Sequence, residues 1–101
     1  MEVVSGRGEI MEISLERTSK NNKKYRIIKF KKEDKKNEFR ELINLFCWES
    51  VSGLFNRIEK IVNSGFTGKT YFYYAELNES GFYNCKTIFD LSENKDLREF
   101  G

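Results

Sequence analysis

Residues 38–48, EFRELINLFCW, decide which fold the rest of the chain can build. The shorter run LINLFCW has the length and composition of a strand that is buried on both faces. The same residues also fit an amphipathic helix, because four apolar side chains follow helical spacing. These four are Phe39, Leu42, Ile43 and Phe46. Periodicity does not separate the two assignments for so short an apolar run, so both remain open at this point.

The residues before this stretch predict a β-hairpin. Residues 9–17 alternate apolar and polar side chains, which predicts a half-buried strand with Met11, Ile13 and Leu15 on one face. Residues 18–22, TSKNN, are typical of a turn, because asparagine tolerates left-handed backbone. The hairpin therefore turns near Asn21 and returns along the next segment.

The returning strand of the hairpin, residues 24–31, is strongly basic. Its alternation slips between Ile27 and Ile28, which predicts a β-bulge there. Residues 20–36 contain nine basic residues against two acidic ones, a formal charge of +7, whereas the chain as a whole carries only +2. A charged loop is expected over residues 31–37. Such segregated charge on a folded, aromatic segment is typical of a surface that binds a polyanion.

The second half of the chain predicts one helix and a second hairpin. Residues 51–62 place their apolar side chains on one helical face, with Ser50 or Ser52 as N-cap and Gly65 at the C-terminal cap. The closing hairpin consists of two strands, residues 69–77 and 82–91, joined by the turn 78–81. One face of its first strand carries Tyr71, Tyr73, Ala75 and Leu77, and the other carries Phe72 and Tyr74. The return strand is expected to turn Tyr83, Cys85, Thr87, Phe89 and Leu91 inward, with Asn84, Lys86 and Asp90 outward.

Length and composition exclude several classes of function. The 101 residues suit one domain, residues 1–101, with flexible ends at 1–7 and 92–101. No secretory pattern and no membrane-length apolar run occurs, which predicts a cytoplasmic protein without a membrane partner. The chain has no histidine and only two cysteines, Cys47 and Cys85. We therefore expect no metal site, no cofactor and no enzymatic activity.

Three segments resemble the single-stranded nucleic-acid-binding domains of the OB-fold. They are GEIMEISLERTSKNNKKYRIIKF, FCWES with the helix that follows it, and GKTYFYYAELNESGFYNCKTI. If residues 38–48 form a strand, the resemblance implies a mostly β, five-stranded barrel with one helix between strands three and four. If they form a helix, the order becomes β-hairpin, two helices, β-hairpin, as in a winged-helix-like protein that contacts duplex DNA.

The resemblance implies a binding face on the second and third barrel strands and the loops beside them. For Trp48, base stacking on that face and burial in the core both remain open. Phe72 and Asn84 could extend the face from the closing hairpin. The candidate nucleic-acid-binding residues are Lys20, Lys23, Lys24, Tyr25, Arg26, Lys29, Lys31, Trp48, Tyr74 and Lys86.

Two classes of function are compatible with these patterns. The first is a non-enzymatic DNA-binding protein that uses the basic β-hairpin and exposed aromatic side chains, with single-stranded DNA favoured over duplex DNA. An accessory protein of a phage, plasmid or conjugative element fits this class. The alternative is a small protein-interaction module, such as an inhibitor, an immunity factor or an assembly subunit. That module would use the aromatic closing hairpin as a contact patch or as the edge of a homodimer.

Overall fold

The computed structural model describes residues 2–33 and 41–92. Their elements, in chain order, are β1 (Glu2–Ile13), β2 (Arg17–Thr18), β3 (Lys24–Lys32), β4 (Leu42–Trp48), α1 (Leu54–Ser64), β5 (Tyr71–Leu77) and β6 (Tyr83–Asp90). Most of the predicted charged loop, and the predicted flexible end beyond Ser92, lie outside the described residues. Among the described residues, no helix has the length and apolar character needed to cross a membrane.

The strands close into a barrel because β1 pairs with two partners. The sheet order is β1-β5-β6-β4-β3-β2, and an additional β1–β3 pairing joins its two sides. Gly8 is the crossing point, since it pairs with Tyr71 on β5 and with Lys32 on β3. A Cβ atom at Gly8 would lie 2.1 Å from the carbonyl oxygen of Lys31, so only glycine permits this approach. Residues 2–7, which the sequence assigns to a flexible end, form strand along β5.

Residues 42–48 are a strand, and this decides the fold. β4 runs antiparallel to β3 and parallel to β6, and it buries Ile43, Leu45 and Cys47 in the core. The barrel strands are β1, β3, β4, β5 and β6, so α1 lies between the third and the fourth of them. The predicted five-stranded barrel with one helix at this place is confirmed. The winged-helix-like alternative is wrong, because the apolar run alternates inward and outward as a paired strand does.

The first hairpin differs from prediction in the position of its bulge. The register shift lies in β1, between Ile10 and Glu12, and not at Ile27 and Ile28 of β3. Ile10 consequently points into the core, while Met11 and Leu15, which were expected to face inward, are exposed. The predicted turn is present, with Asn22 at a φ of 60°.

A second bulge changes the inward face of the closing hairpin. The register shifts between Tyr74 and Ala75, so β6 buries Ile88 and Asp90 where Thr87 and Phe89 were expected inward. The carboxylate of Asp90 accepts hydrogen bonds from the backbone N–H and the hydroxyl of Ser92. Burial of this side chain is therefore compensated by local hydrogen bonds.

Helix α1 packs its apolar face against the barrel. It buries Leu54, Ile58 and Ile61 with the core. The predicted C-terminal cap is confirmed, because the N–H of Gly65 donates to the carbonyl of Val62. The serine N-cap is wrong: the cap residue is Gly53, with a φ of 77° and no side-chain cap hydrogen bond. Left-handed backbone at that position favours glycine.

Candidate nucleic-acid interface

Outward side chains of neighbouring strands line up in rows across one side of the barrel. Because β3 points alternate residues into the core, the intervening residues face solvent. Each of them lies opposite an outward residue of β4, and β2 and β1 extend the rows at their other end. We call this surface the front face; its rows are Arg17–Tyr25–Trp48, Ile27–Phe46 and Glu12–Lys29–Asn44.

Aromatic rings run continuously across the front face. The ring centroids of Tyr25 and Trp48 are 5.0 Å apart, and those of Tyr25 and Phe46 are 6.2 Å apart. Phe82, in the turn before β6, adds an edge-to-face contact with Phe46 at 5.3 Å and is 51% exposed. The indole N–H of Trp48 donates to the Oδ1 atom of Asn84 at 2.9 Å, which fixes the orientation of the ring. Trp48 therefore lies half-buried on the outside of the barrel and not in the core.

Two exposed lysines of β3 have weak partners: Lys29, which belongs to the front face, and Lys24, at the start of the strand beside Tyr25. The ammonium of Lys29 lies 3.7 Å from the Glu12 carboxylate, and that of Lys24 lies 3.9 Å from Glu16. Ion pairs this exposed contribute little, so a phosphate can replace the carboxylate. Lys20 and Lys23 are exposed in the turn before β3, and none of the ion pairs within residues 2–33 and 41–92 involves them.

Lys31 lies on the outward side of β3, one row beyond Lys29. Its neighbours across the strands are Glu9 on β1 and Leu42 on β4. The predicted lysines therefore flank the aromatic rings on two sides: the turn before β3 at one end, and the Lys29 and Lys31 rows at the other.

Arg26 does not belong to this surface, which corrects the sequence prediction. It shares the inward phase of β3 with Ile28, and its side chain is only 10% exposed. Its Nε atom donates to the carbonyl of Ser14 at 3.0 Å, and its Nη1 atom donates to Glu59 Oε1 at 2.6 Å. Arg26 thus ties α1 to the segment after β1, and its guanidinium is not available to a ligand.

Tyr74 and Lys86 lie elsewhere on the barrel. We call the outward side of β5 and β6 the hairpin face; it carries Phe72, Tyr74, Glu76, Lys86 and Phe89. Tyr74 is 42% exposed and lies opposite Thr87, with β6 between it and β4. The ammonium of Lys86 lies 3.6 Å from Glu76. The structure therefore does not bring Tyr74 and Lys86 into the aromatic rows of the front face.

The residues of this region that were missed from the sequence include Glu12, Arg17, Asn44, Phe46 and Phe82. Phe46 and Asn44 follow from Trp48 by the two-residue period of a strand, so assigning β4 correctly would have identified both. Arg17 was not detectable, because its place beside Tyr25 depends on the β2–β3 pairing.

Two thiols and a phenol with raised pKa values or deep burial lie in the barrel interior. Cys47 and Cys85 are buried on the neighbouring strands β4 and β6. A hydrogen bond to Cys85 and burial raise the pKa of the Cys47 thiol, which suppresses the nucleophilic thiolate. Burial likewise raises the pKa of Tyr73 to about 12. Within the described parts of the chain, no three side chains cluster as metal ligands would.

Comparisons with known proteins bear on the fold. No protein-family model and no curated protein matches the chain. Among solved structures, it is similar to the mitochondrial single-stranded DNA-binding protein Rim1 of S. cerevisiae, with a TM-score of 0.70. The match covers 89% of this chain and 93% of that chain, at 19% sequence identity. The chain has an OB-fold.

The front face corresponds to the part of an OB-fold that commonly binds ligands. OB-folds bind oligonucleotides on their second and third barrel strands and in the loops that follow strands one and four. In this chain those strands are β3 and β4, which carry Tyr25, Phe46 and Trp48. The corresponding loops carry Lys20 and Lys23 on one side and Phe82 on the other. The aromatic rows therefore coincide with the surface that this fold uses for ligands.

Proposed function

We propose that this protein binds single-stranded DNA, without catalysis, through the front face and its flanking loops. The observation that carries the proposal is the continuous aromatic surface of Trp48, Tyr25 and Phe46 on the two ligand-binding strands of an OB-fold. Stacking of a base on such a ring contributes about 1–3 kcal/mol and tolerates any base. The similar structure is described as a single-stranded DNA-binding protein, which supports the same assignment.

Cations beside the rings supply the contacts to the phosphate chain. Lys20, Lys23 and Lys24 border the Tyr25–Trp48 end, and Lys29 and Lys31 border the other. Neutralising phosphates releases condensed counterions, so affinity should fall steeply as salt rises. The intramolecular carboxylate of Glu16 competes for Lys24, and the phosphate chain displaces it.

Single-stranded DNA is the favoured ligand because the rings need access to base faces. In a duplex those faces are covered by neighbouring base pairs, and only the phosphate contacts remain. We therefore expect duplex DNA to bind more weakly and to show a purely salt-dependent affinity.

A fluorescence-anisotropy titration tests the proposal. The same labelled sequence of about 15 nucleotides is used as a single strand and as a duplex, at about 50 mM and about 200 mM salt. We expect saturable binding of the single strand, weaker binding of the duplex and a marked loss of affinity at the higher salt. Absence of binding to either form at low salt would refute the proposal.

The finer assignments stay predictions. They are a cytoplasmic location, a role in a phage, plasmid or conjugative element, and a homodimer. The closing hairpin supplies no dimer edge through β5, because that strand is paired with β1 and β6 along its length. Exposed side chains such as Tyr74 offer contacts to a homodimer or another protein partner, and size-exclusion chromatography with light scattering would detect the dimer.

A further inference from the structure

A polar cleft borders the aromatic rings of the front face. It has a volume of about 200 Å³ and is lined by Glu12, Ser14, Arg17, Ile27, Lys29 and Asn44. Ile27 lies opposite Phe46 in the sheet, so the cleft adjoins the surface on which bases are proposed to stack. A water molecule occupies about 30 Å³ of liquid, so the cleft has room for several waters or for one pyrimidine base.

Three polar side chains form one row along this cleft. Glu12 on β1 lies opposite Lys29 on β3, and Lys29 lies opposite Asn44 on β4. Together they present a carboxylate acceptor, an ammonium donor and an amide that both donates and accepts. The carboxylate of Glu12 is 3.7 Å from the ammonium of Lys29 and its side chain is 68% exposed. Both groups can therefore reach a ligand in the cleft.

The carboxylate of Glu12 would be unfavourable on a surface that bound only phosphates. A carboxylate repels a phosphate, yet it is a good acceptor for the N–H groups on the edge of a base. Glutamate recognises cytosine by accepting a hydrogen bond from its exocyclic amino group. Because Lys29 balances the charge of Glu12, the row can accept a neutral base edge without leaving a charge unpaired.

We propose that the Glu12–Lys29–Asn44 row is a base-reading pocket that favours cytosine over thymine. The inference rests on the proposed binding of single-stranded DNA. The cytosine amino group donates to Glu12, and the neighbouring ring nitrogen accepts from Lys29 or from the amide of Asn44. Thymine presents a carbonyl oxygen in place of the amino group, and its ring N–H lies between two carbonyl oxygens. The group that donates to Glu12 in cytosine is therefore an acceptor in thymine, and the one remaining donor of thymine has an acceptor on each side.

The test compares oligo-dC with oligo-dT, both of about 15 nucleotides, because these two pyrimidines have similar size and stack on similar rings. Competition anisotropy at mildly alkaline pH, where cytosine is unprotonated, gives the ratio of the two dissociation constants. We expect the protein to prefer oligo-dC by about fivefold or more, the lower end of discrimination by a specific base contact. Glu12→Gln adds an amide donor for the thymine carbonyl and should bring the ratio below about twofold.

Glu16→Gln is the matched control. It removes the same charge and also breaks an exposed ion pair with a β3 lysine, Lys24, but Glu16 does not line the cleft. It should tighten both oligonucleotides alike and leave their ratio unchanged. Thermal unfolding followed by circular dichroism confirms that each variant is folded.

The outcomes separate the inference from the proposed function. If the protein binds oligo-dC and oligo-dT equally, or if Glu12→Gln and Glu16→Gln change the ratio equally, the base-reading pocket is refuted while DNA binding stands. If neither oligonucleotide binds, both proposals fail together. A ratio that changes only with Glu12→Gln supports the pocket.

Discussion

The front face and the hairpin face carry similar aromatic pairs in different surroundings. Tyr25 and Trp48 lie 5.0 Å apart on the front face, and Phe72 and Phe89 lie 5.2 Å apart on the hairpin face. The front pair is bordered by a lysine-bearing turn and lies on the strands that OB-folds use for ligands. The hairpin face has its own cation, Lys86, paired with Glu76. Aromatic content alone therefore does not distinguish the two faces; the proposal depends on the register, which places the front rings beside the lysines of the turn.

The strongest test of this contrast removes the rings from one face at a time. Tyr25→Leu combined with Trp48→Leu should weaken single-stranded DNA binding by about 2–6 kcal/mol, since each stacked base is worth about 1–3 kcal/mol. Leucine keeps apolar packing, so the loss reports stacking. Fluorescence anisotropy measures the affinity.

The matched control acts on the hairpin face. Phe72→Leu combined with Phe89→Leu should change the affinity by less than about 0.5 kcal/mol, as expected for surface changes away from an interface. Equal losses for the two double variants would remove the distinction between the faces.

A second test separates a buried cation from the exposed ones. Arg26→Met should lower the free energy of unfolding by about 1–2 kcal/mol, because it removes hydrogen bonds to Ser14 and Glu59 that involve a charged group. The expected loss in free energy of unfolding is small for a charged hydrogen bond, because Glu59 is largely exposed and can be hydrated. Urea unfolding measures it, and DNA affinity should be unchanged. If a fully folded Arg26→Met variant bound single-stranded DNA more weakly, Arg26 would belong to the interface and the prediction would be wrong.

One buried acidic group lies behind each face, and alkaline pH should destabilise the folded protein through both groups. Cys47 lies between two front-face residues and Tyr73 between two hairpin-face residues, and both have a raised pKa in the folded protein. The unfolded thiol and phenol ionise near 9.0 and 10.0, so unfolding releases protons above those values. The free energy of unfolding should therefore be unaffected below pH 9.0 and fall as pH rises, by about 1.4 kcal/mol per pH unit for each group.

Urea unfolding across this pH range measures the effect. Cys47→Ala should delay the loss of stability until the ionisation of Tyr73 begins, near pH 10.0. A wild-type stability that stays constant to pH 11 or higher, about two units above the thiol, would contradict the assignment of buried, protonated groups.

The smallest effect concerns the turn before β3. Lys20→Ala combined with Lys23→Ala should reduce the slope of log affinity against log salt by up to about 1.4, since each contact to a single strand contributes about 0.7. Lys86→Ala on the hairpin face is the comparison and should leave the slope unchanged. A larger change from Lys86→Ala than from the turn variant would place the phosphate chain on the other face.

Both hairpins and the helix could be predicted from the sequence. The rest of the fold could not, because it depends on which strands pair with each other. The β-formers and turn residues predicted both hairpins, and the apolar stripe predicted α1. The run LINLFCW fits two periods, and only its pairing with β3 and β6 selects the strand. The bulge of the first hairpin was misplaced and that of the closing hairpin was not predicted, because a bulge is set by the partner strand. Each bulge changed which residues face the core.

The candidate site was predictable where it depended on composition alone. Lys20, Lys23 and Tyr25 follow from the basic, aromatic hairpin, and the structure places all three at or beside the front face. Arg26 was misassigned because the resemblance named adjacent residues of the basic strand together, whereas strand alternation turns Arg26 inward and Tyr25 outward. Arg17 was missed because its row exists only in the folded sheet.

Trp48 gives the most direct test of the central claim. It is the only tryptophan in the sequence and lies on the proposed interface, 5.0 Å from Tyr25. We predict that single-stranded DNA quenches its fluorescence saturably, with the dissociation constant that anisotropy gives, and that added salt reverses the quenching. DNA binding detected by anisotropy with no change in the emission of Trp48 would show that the ligand occupies another surface and would contradict the account.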